Sequence, residues 1–197
     1  IHFDRPNTGV GPGLAFARVM ADADSSAGIG LIPCAEGGSP LARWEPGKDL
    51  YARAVARTRA ALAMGGRLRG ILWHQGEADS WSREKAESYA VRLTNMVTHL
   101  RAEFGAPDVP FLAGEVGLHY ATSIEKRGGK AFVTTVNDQI HQAVASLPAA
   151  GYASAEGLEP GPDGIHFTAE SASELGRRYA AALQALRVSG RREAEGD

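Results

Sequence analysis

Leu68-Arg-Gly-Ile-Leu-Trp-His-Gln-Gly-Glu77 decides the architecture. The apolar run from Leu68 to Trp73 is too short for a helix and opens into a polar loop containing glycine, so it reads as a buried strand that ends at Trp73. Working outward, Tyr51, Val55, Thr58 and Leu62 recur at helical spacing before it. After it, Ala86, Tyr89, Ala90, Leu93, Met96, Val97, Leu100 and Phe104 share one stripe of a helix predicted from Arg83 to Phe104. The same unit repeats. Strands are predicted from Gly28 to Pro33, from Val109 to Ala113 and, from a weaker signal, from Gly151 to Ala155. Val136, Ile140, Val144 and Leu147 mark another helix, and a short one from Leu14 to Met20 follows Pro12. A final helix from Thr168 to about Val188 has Thr168 as N-cap and Leu175, Tyr179, Ala182, Leu183 and Leu186 facing inward. Strand followed by helix predicts an α/β fold on a parallel sheet, with ligands bound beyond the carboxyl ends of the strands.

The chain has 197 residues, 44% of them hydrophobic, which suits one domain over residues 1–188; the charged tail 189–197 lacks apolar periodicity and is expected to fray. A formal net charge of −2 leaves no basic surplus to displace counterions from a phosphate backbone, which argues against nucleic acid as a partner. No apolar stretch approaches the roughly 20 residues that span a bilayer, so a soluble chain is expected, and its compartment, secretion included, stays open. Cys34 is the one cysteine and reads as a small apolar residue at a strand end. His74, His119, Glu115 and His166 lack any dedicated metal-ligand spacing, so no metal or cofactor is expected. The chain opens at Ile1 without a signal segment, and a shortened N-terminus is one explanation.

The strand-end loops hold the polar chemistry. Asp163 and His166, three apart before the last helix, have the spacing with which a carboxylate reaches an imidazole Nδ1 and fixes its tautomer for general-base work; taken alone, a surface loop is the commoner explanation. Gln75 projects from a strand end where an oxyanion donor is useful, and the Gly38 N–H could serve the same oxygen, although Gly37 and Gly38 equally suit a simple turn. Glu77 could orient a histidine or bond loop backbone. Trp44 and Trp81 lie in loops near the expected mouth and could stack on sugar rings or anchor the loops.

Together these features resemble the SGNH/GDSL hydrolase superfamily, most closely its sialate O-acetylesterase and acetylxylan esterase branch. The resemblance runs through Gly9-Val-Gly-Pro-Gly-Leu-Ala-Phe-Ala17, Ile29-Gly-Leu-Ile-Pro-Cys-Ala-Glu-Gly-Gly-Ser39, Gly70-Ile-Leu-Trp-His-Gln-Gly-Glu-Ala-Asp79 and Asp163-Gly-Ile-His166. It implies a flavodoxin-like three-layer α/β/α sandwich and metal-independent hydrolysis of O-acetyl groups on carbohydrates through a serine acyl-enzyme. His166 then corresponds to the general base, Asp163 to its orienting acid, Gly38 and Gln75 to the oxyanion hole, and Glu77 to a secondary candidate for the acid. The family carries its nucleophile in a Gly-Gln-Ser-Asn element at the end of a first strand, upstream of the segment matching Gly9 to Ala17. Nothing before Gly9 supplies it, so the expectation is a chain lacking the nucleophile and the first strand, with weak or absent activity and an exposed sheet edge. Ser39 lies where the family has Ser or Thr after the glycine pair, and positions the loop more readily than it attacks or binds substrate.

The rival of another class is a non-catalytic carbohydrate-binding or scaffold domain. A nucleotide-binding relative ranks below both, because no G-x-G-x-x-G follows a strand. Natural substrate, acetyl position and oligomeric state are not legible.

Overall fold

Three short parallel strands, β1 (Ile71–Trp73), β2 (Phe111–Gly114) and β3 (Ala150–Ala153), lie side by side in that order. Ile71 pairs in register with Phe111, and Phe111 with Ala150. The computed structural model describes residues 9–26 and 28–195, with side chains through residue 188. Seven helices cover the sheet among these residues: α1 (Pro12–Ala23), α2 (Asp49–Ala63), α3 (Arg83–Glu87), α4 (Tyr89–Glu103), α5 (His119–Lys126), α6 (Val133–Ser146) and α7 (Ala169–Glu195).

Alternation along β2 explains the layers. Phe111 and Ala113 point into one core with Tyr51, Leu93, Met96, Val97, Val136 and Ile140, whereas Leu112 points into a second with Phe16, Met20, Leu175, Tyr179 and Leu183. Helices α2, α4 and α6 therefore cover one face of the sheet, and α1 and α7 the other. All four residues of β2 are buried, as expected of a central parallel strand. This is the expected α/β/α sandwich.

Some expected elements shift. Residues 28–33 make no sheet ladder, and Ile29 and Leu31 stay 40% and 46% exposed. A strand needs a neighbour for its N–H and C=O groups, and among the described residues β1 pairs only with β2. The single helix expected from Arg83 to Phe104 is two, divided at Ser88, whose hydroxyl donates to Glu84 O at 2.8 Å and competes with the main-chain ladder. Helix α5 carries only two buried residues, Tyr120 and Ile124, too faint a stripe to announce itself. Thr168 does cap α7, accepting from the Ser171 N–H at 3.0 Å. That helix runs on to Glu195 rather than fraying near Val188, consistent with the strong helix formers in Arg-Arg-Glu-Ala-Glu.

Candidate active site

Three of the loops expected to carry chemistry, residues 35–39, 74–77 and 161–167, are joined by a chain of contacts at the carboxyl end of the sheet. Gln75, two residues past β1, donates from Nε2 to Ser39 O at 3.1 Å and so holds the turn that carries Gly38. His74, its neighbour, packs on Phe167, ring centroids 5.8 Å apart, beside His166.

Asp163 and His166 form the expected pair. His166 Nδ1 lies 2.7 Å from Asp163 Oδ2, while Asp163 Oδ1 accepts the N–H groups of Ile165 at 2.9 Å and His166 at 3.0 Å. The bond from His166, helped by those two backbone donors, holds the Asp163 carboxyl far below the usual carboxylate range. An ionised Asp163 acting on Nδ1 fixes the tautomer that leaves the Nε2 lone pair available, and the His166 side chain is 83% exposed. Helix α5 props this loop from below: His119 Nε2 lies 3.1 Å from Ile165 O, its ring meets Phe167 edge-on at 5.0 Å, and Arg127 Nη2 donates to Asp163 O at 3.1 Å. The supporting role of His119 and Arg127 had no local signal in the sequence, because it depends on a contact some forty residues away.

Gly38 sits at φ +69° in a tight turn, a conformation that favours glycine, and its exposed amide has no acceptor among the described residues. Gln75 differs from expectation. Its amide bonds Ser39 O and, at 2.9 Å, Asp79 Oδ2, which occupies both hydrogens, while its Oε1 accepts from Tyr89 O–H at 2.8 Å. The side chain is buried and has no N–H to spare for an oxyanion. Asp79, unremarked in the sequence, is the reason: it is fully buried and also takes the Leu41 N–H at 2.7 Å and Arg92 Nη1 at 2.9 Å.

Two substrate-binding candidates are engaged with the protein itself. Trp44 is buried, donates to Ser39 Oγ at 2.9 Å and meets Trp73 in a T-shaped contact, so it presents no ring to a ligand. Ser39 donates its own hydroxyl to Glu36 O at 2.7 Å and is buried, which commits it to shaping the turn. Glu77 makes no contact with His166; its Oε1 lies 3.8 Å from His74 Nε2. His74 Nδ1 is buried without a hydrogen-bond partner among the described residues. Glu115, at the end of β2, is tied into a structural junction by His141 Nε2 at 2.7 Å and by Ser154 Oγ and the Ala155 N–H, each at 2.8 Å. Among the described residues no group of three or more His, Cys, Asp or Glu is placed to hold a metal ion, and no helix is long and apolar enough to cross a membrane.

An ionised Asp that holds a solvent-facing His at the carboxyl edge of a parallel sheet is an arrangement in which the imidazole is free to accept a proton at Nε2. The chain belongs to the carbohydrate esterase family described as sialic acid-specific acetylesterase, whose pattern it matches over residues 1–185. It is 34% identical over 178 residues to a probable carbohydrate esterase of Arabidopsis thaliana, covering 88% of this chain and 63% of that protein. The chain thus spans under two thirds of that relative. A crystal structure of an Arabidopsis thaliana protein superposes with a TM-score of 0.81 at 32% identity, over 92% of this chain and 71% of that one. The fold is shared too with a carbohydrate acetylesterase from Xanthomonas citri, at a TM-score of 0.71 and 21% identity over 89% of this chain and 40% of that one.

Proposed function

We propose that this chain forms the histidine-bearing part of a carbohydrate O-acetylesterase whose serine nucleophile lies on a strand N-terminal to the described residues. The observation that carries this reading is the Asp163–His166 pair, closed at 2.7 Å with the imidazole exposed beyond it. In the reaction, serine attacks the acetyl carbonyl while His166 Nε2 takes its proton, and Asp163 stabilises the imidazolium that forms. The Gly38 N–H donates to the oxyanion. Gln75 acts one step back, by holding Ser39 O and with it the turn that aims Gly38. His166 then protonates the departing sugar oxygen, and in the second half takes a proton from water as it attacks the acetyl-enzyme, so that acetate leaves and serine is restored.

The test is hydrolysis of p-nitrophenyl acetate, acetylated xylan and O-acetylated sialic acid by this chain and by one extended upstream, each beside its His166→Ala variant. Activity confined to the extended chain, and reduced about 10²–10⁴-fold by His166→Ala, is the expected result. His166-dependent turnover by the short chain alone would require a different nucleophile and overturn this part of the reading. Absence of turnover in both would favour a sugar-binding domain without catalysis.

A further inference from the structure

Of the three tryptophans, the structure buries Trp44 and Trp73 and leaves Trp81 57% exposed. A single exposed apolar side chain is ordinarily unremarkable, but this one is held still. Its Nε1 donates at 2.7 Å to Tyr120 O–H, on a residue of α5 that is itself buried. The turn that carries it (Asp79–Trp81) is fixed from four directions. The Ser80 N–H donates to Gly76 O at 2.9 Å and its hydroxyl to Glu77 O at 2.7 Å, the Phe132 N–H donates to Ser80 O at 2.7 Å, and the Asp79 carboxylate is locked beneath. Folding therefore spends specific bonds on an indole whose face remains in water.

We propose that Trp81 is a stacking platform for a pyranose ring of the substrate, tied to the same helix that braces the 163–166 loop. The inference rests on the reading of the protein as a carbohydrate esterase, to which it adds a residue and a mode of recognition. With its N–H consumed by Tyr120, the indole offers only an apolar, electron-rich face. That face suits a molecule with one ring-sized patch of C–H groups and hydroxyls around its edge. The surroundings suit a ligand edged with hydroxyls: Phe132, whose N–H bonds Ser80 O beside Trp81, carries Arg83 at 4.8 Å and Lys130 at 5.2 Å over its ring, so charged donors lie close by. Rigidity contributes as well, since a ring already immobilised loses little entropy when a sugar settles on it. The platform also hangs from the element that supports the chemistry. Tyr120 follows His119, which braces the 163–166 loop through Ile165 O, so α5 sets both the sugar-facing ring and the general base.

Trp81 is also its own reporter, being the tryptophan accessible to a soluble quencher. Methyl β-D-xylopyranoside, and the same sugar carrying acetyl groups, should shift its emission to the blue and protect it from acrylamide. Trp81→Ala should raise the Kd for either sugar about tenfold by saturation-transfer NMR. Tyr120→Phe keeps the indole but frees it, and should weaken binding by a smaller factor; circular dichroism checks that both variants fold. Emission and quenching unmoved by sugar, or a wild-type Kd in Trp81→Ala, would overturn the platform. None of these measurements needs a nucleophile, so their failure would leave the hydrolytic reading standing, and failed hydrolysis would leave a sugar response intact.

Discussion

Asp79 shows how one residue outside the proposed reaction can set its geometry. Its carboxylate, 0% exposed, receives Leu41 N–H, Gln75 Nε2 and Arg92 Nη1, and so ties the 37–41 segment, the loop after β1 and helix α4 to one point. Burying a charge is tolerable only when it is paired and bonded, and here the Arg92 guanidinium, itself shared with Glu45 at 2.8 Å, supplies the opposite charge. Asp79→Asn keeps the shape but replaces an acceptor with an N–H that must face either Arg92 or the two donors opposite. Breaking a buried pair costs about 3–5 kcal/mol, and Arg92 is partly exposed and keeps Glu45, so the expected loss is near the lower end, about 3 kcal/mol. Urea unfolding should show it as a lowered midpoint at an unchanged m-value. A loss below about 1 kcal/mol, within the range of an ordinary single hydrogen bond, would mean that Asp79 is not the anchor described.

Between elements, α1 and α7 approach closely at Gly176. A Cβ there would lie 2.2 Å from Pro12 O, 2.9 Å from Ala15 Cβ and 3.0 Å from Phe16 N. Two effects compete when glycine becomes alanine inside a helix: propensity favours alanine by about 1 kcal/mol, while overpacking costs about 1–3 kcal/mol. The obstacle is backbone, which does not swing aside as a flexible side chain would, so overpacking wins and Gly176→Ala should destabilise by about 1–2 kcal/mol in thermal or urea unfolding. A stabilised variant would show that α1 shifts freely on α7. Nothing in the sequence announces this contact, although both helices were legible from their stripes. That division is general here. Strands and helices with one strongly apolar stripe, such as α4, α6 and α7, follow from local periodicity. The existence of α5 and the unpaired state of residues 28–33 depend on distant parts of the chain, and the break at Ser88 on a side-chain bond to Glu84 O that apolar periodicity does not register.

At the scale of the molecule the same division holds for the site. The Asp163–His166 contact could be read from the sequence because it is local, three residues apart, whereas the contacts of Gln75, Trp44 and Trp81 follow from which partners the fold brings to them, at separations from 4 to 39 residues. Among the described residues, the outer edge of β1 together with residues 28–33 is left without a partner in the sheet. β1 has a partner on one side only among the described residues, and Ile29 and Leu31 remain 40% and 46% exposed. A strand inserted there would take up free ladder groups, and its own burial would roughly offset the cost of ordering it. The surplus is the remaining burial of Ile29 and Leu31, each about half of the 1.5–3 kcal/mol for full burial, or about 2 kcal/mol together. At about 2–4 °C per kcal/mol for a domain of this size, a chain extended upstream should melt about 4–8 °C higher than this one. It should also lose any concentration-dependent association in sedimentation, because an open edge is a template for pairing with a second chain. Coincident melting and sedimentation would mean that the added segment does not enter the sheet, and the proposal that it brings the nucleophile beside His166 would lose its structural basis.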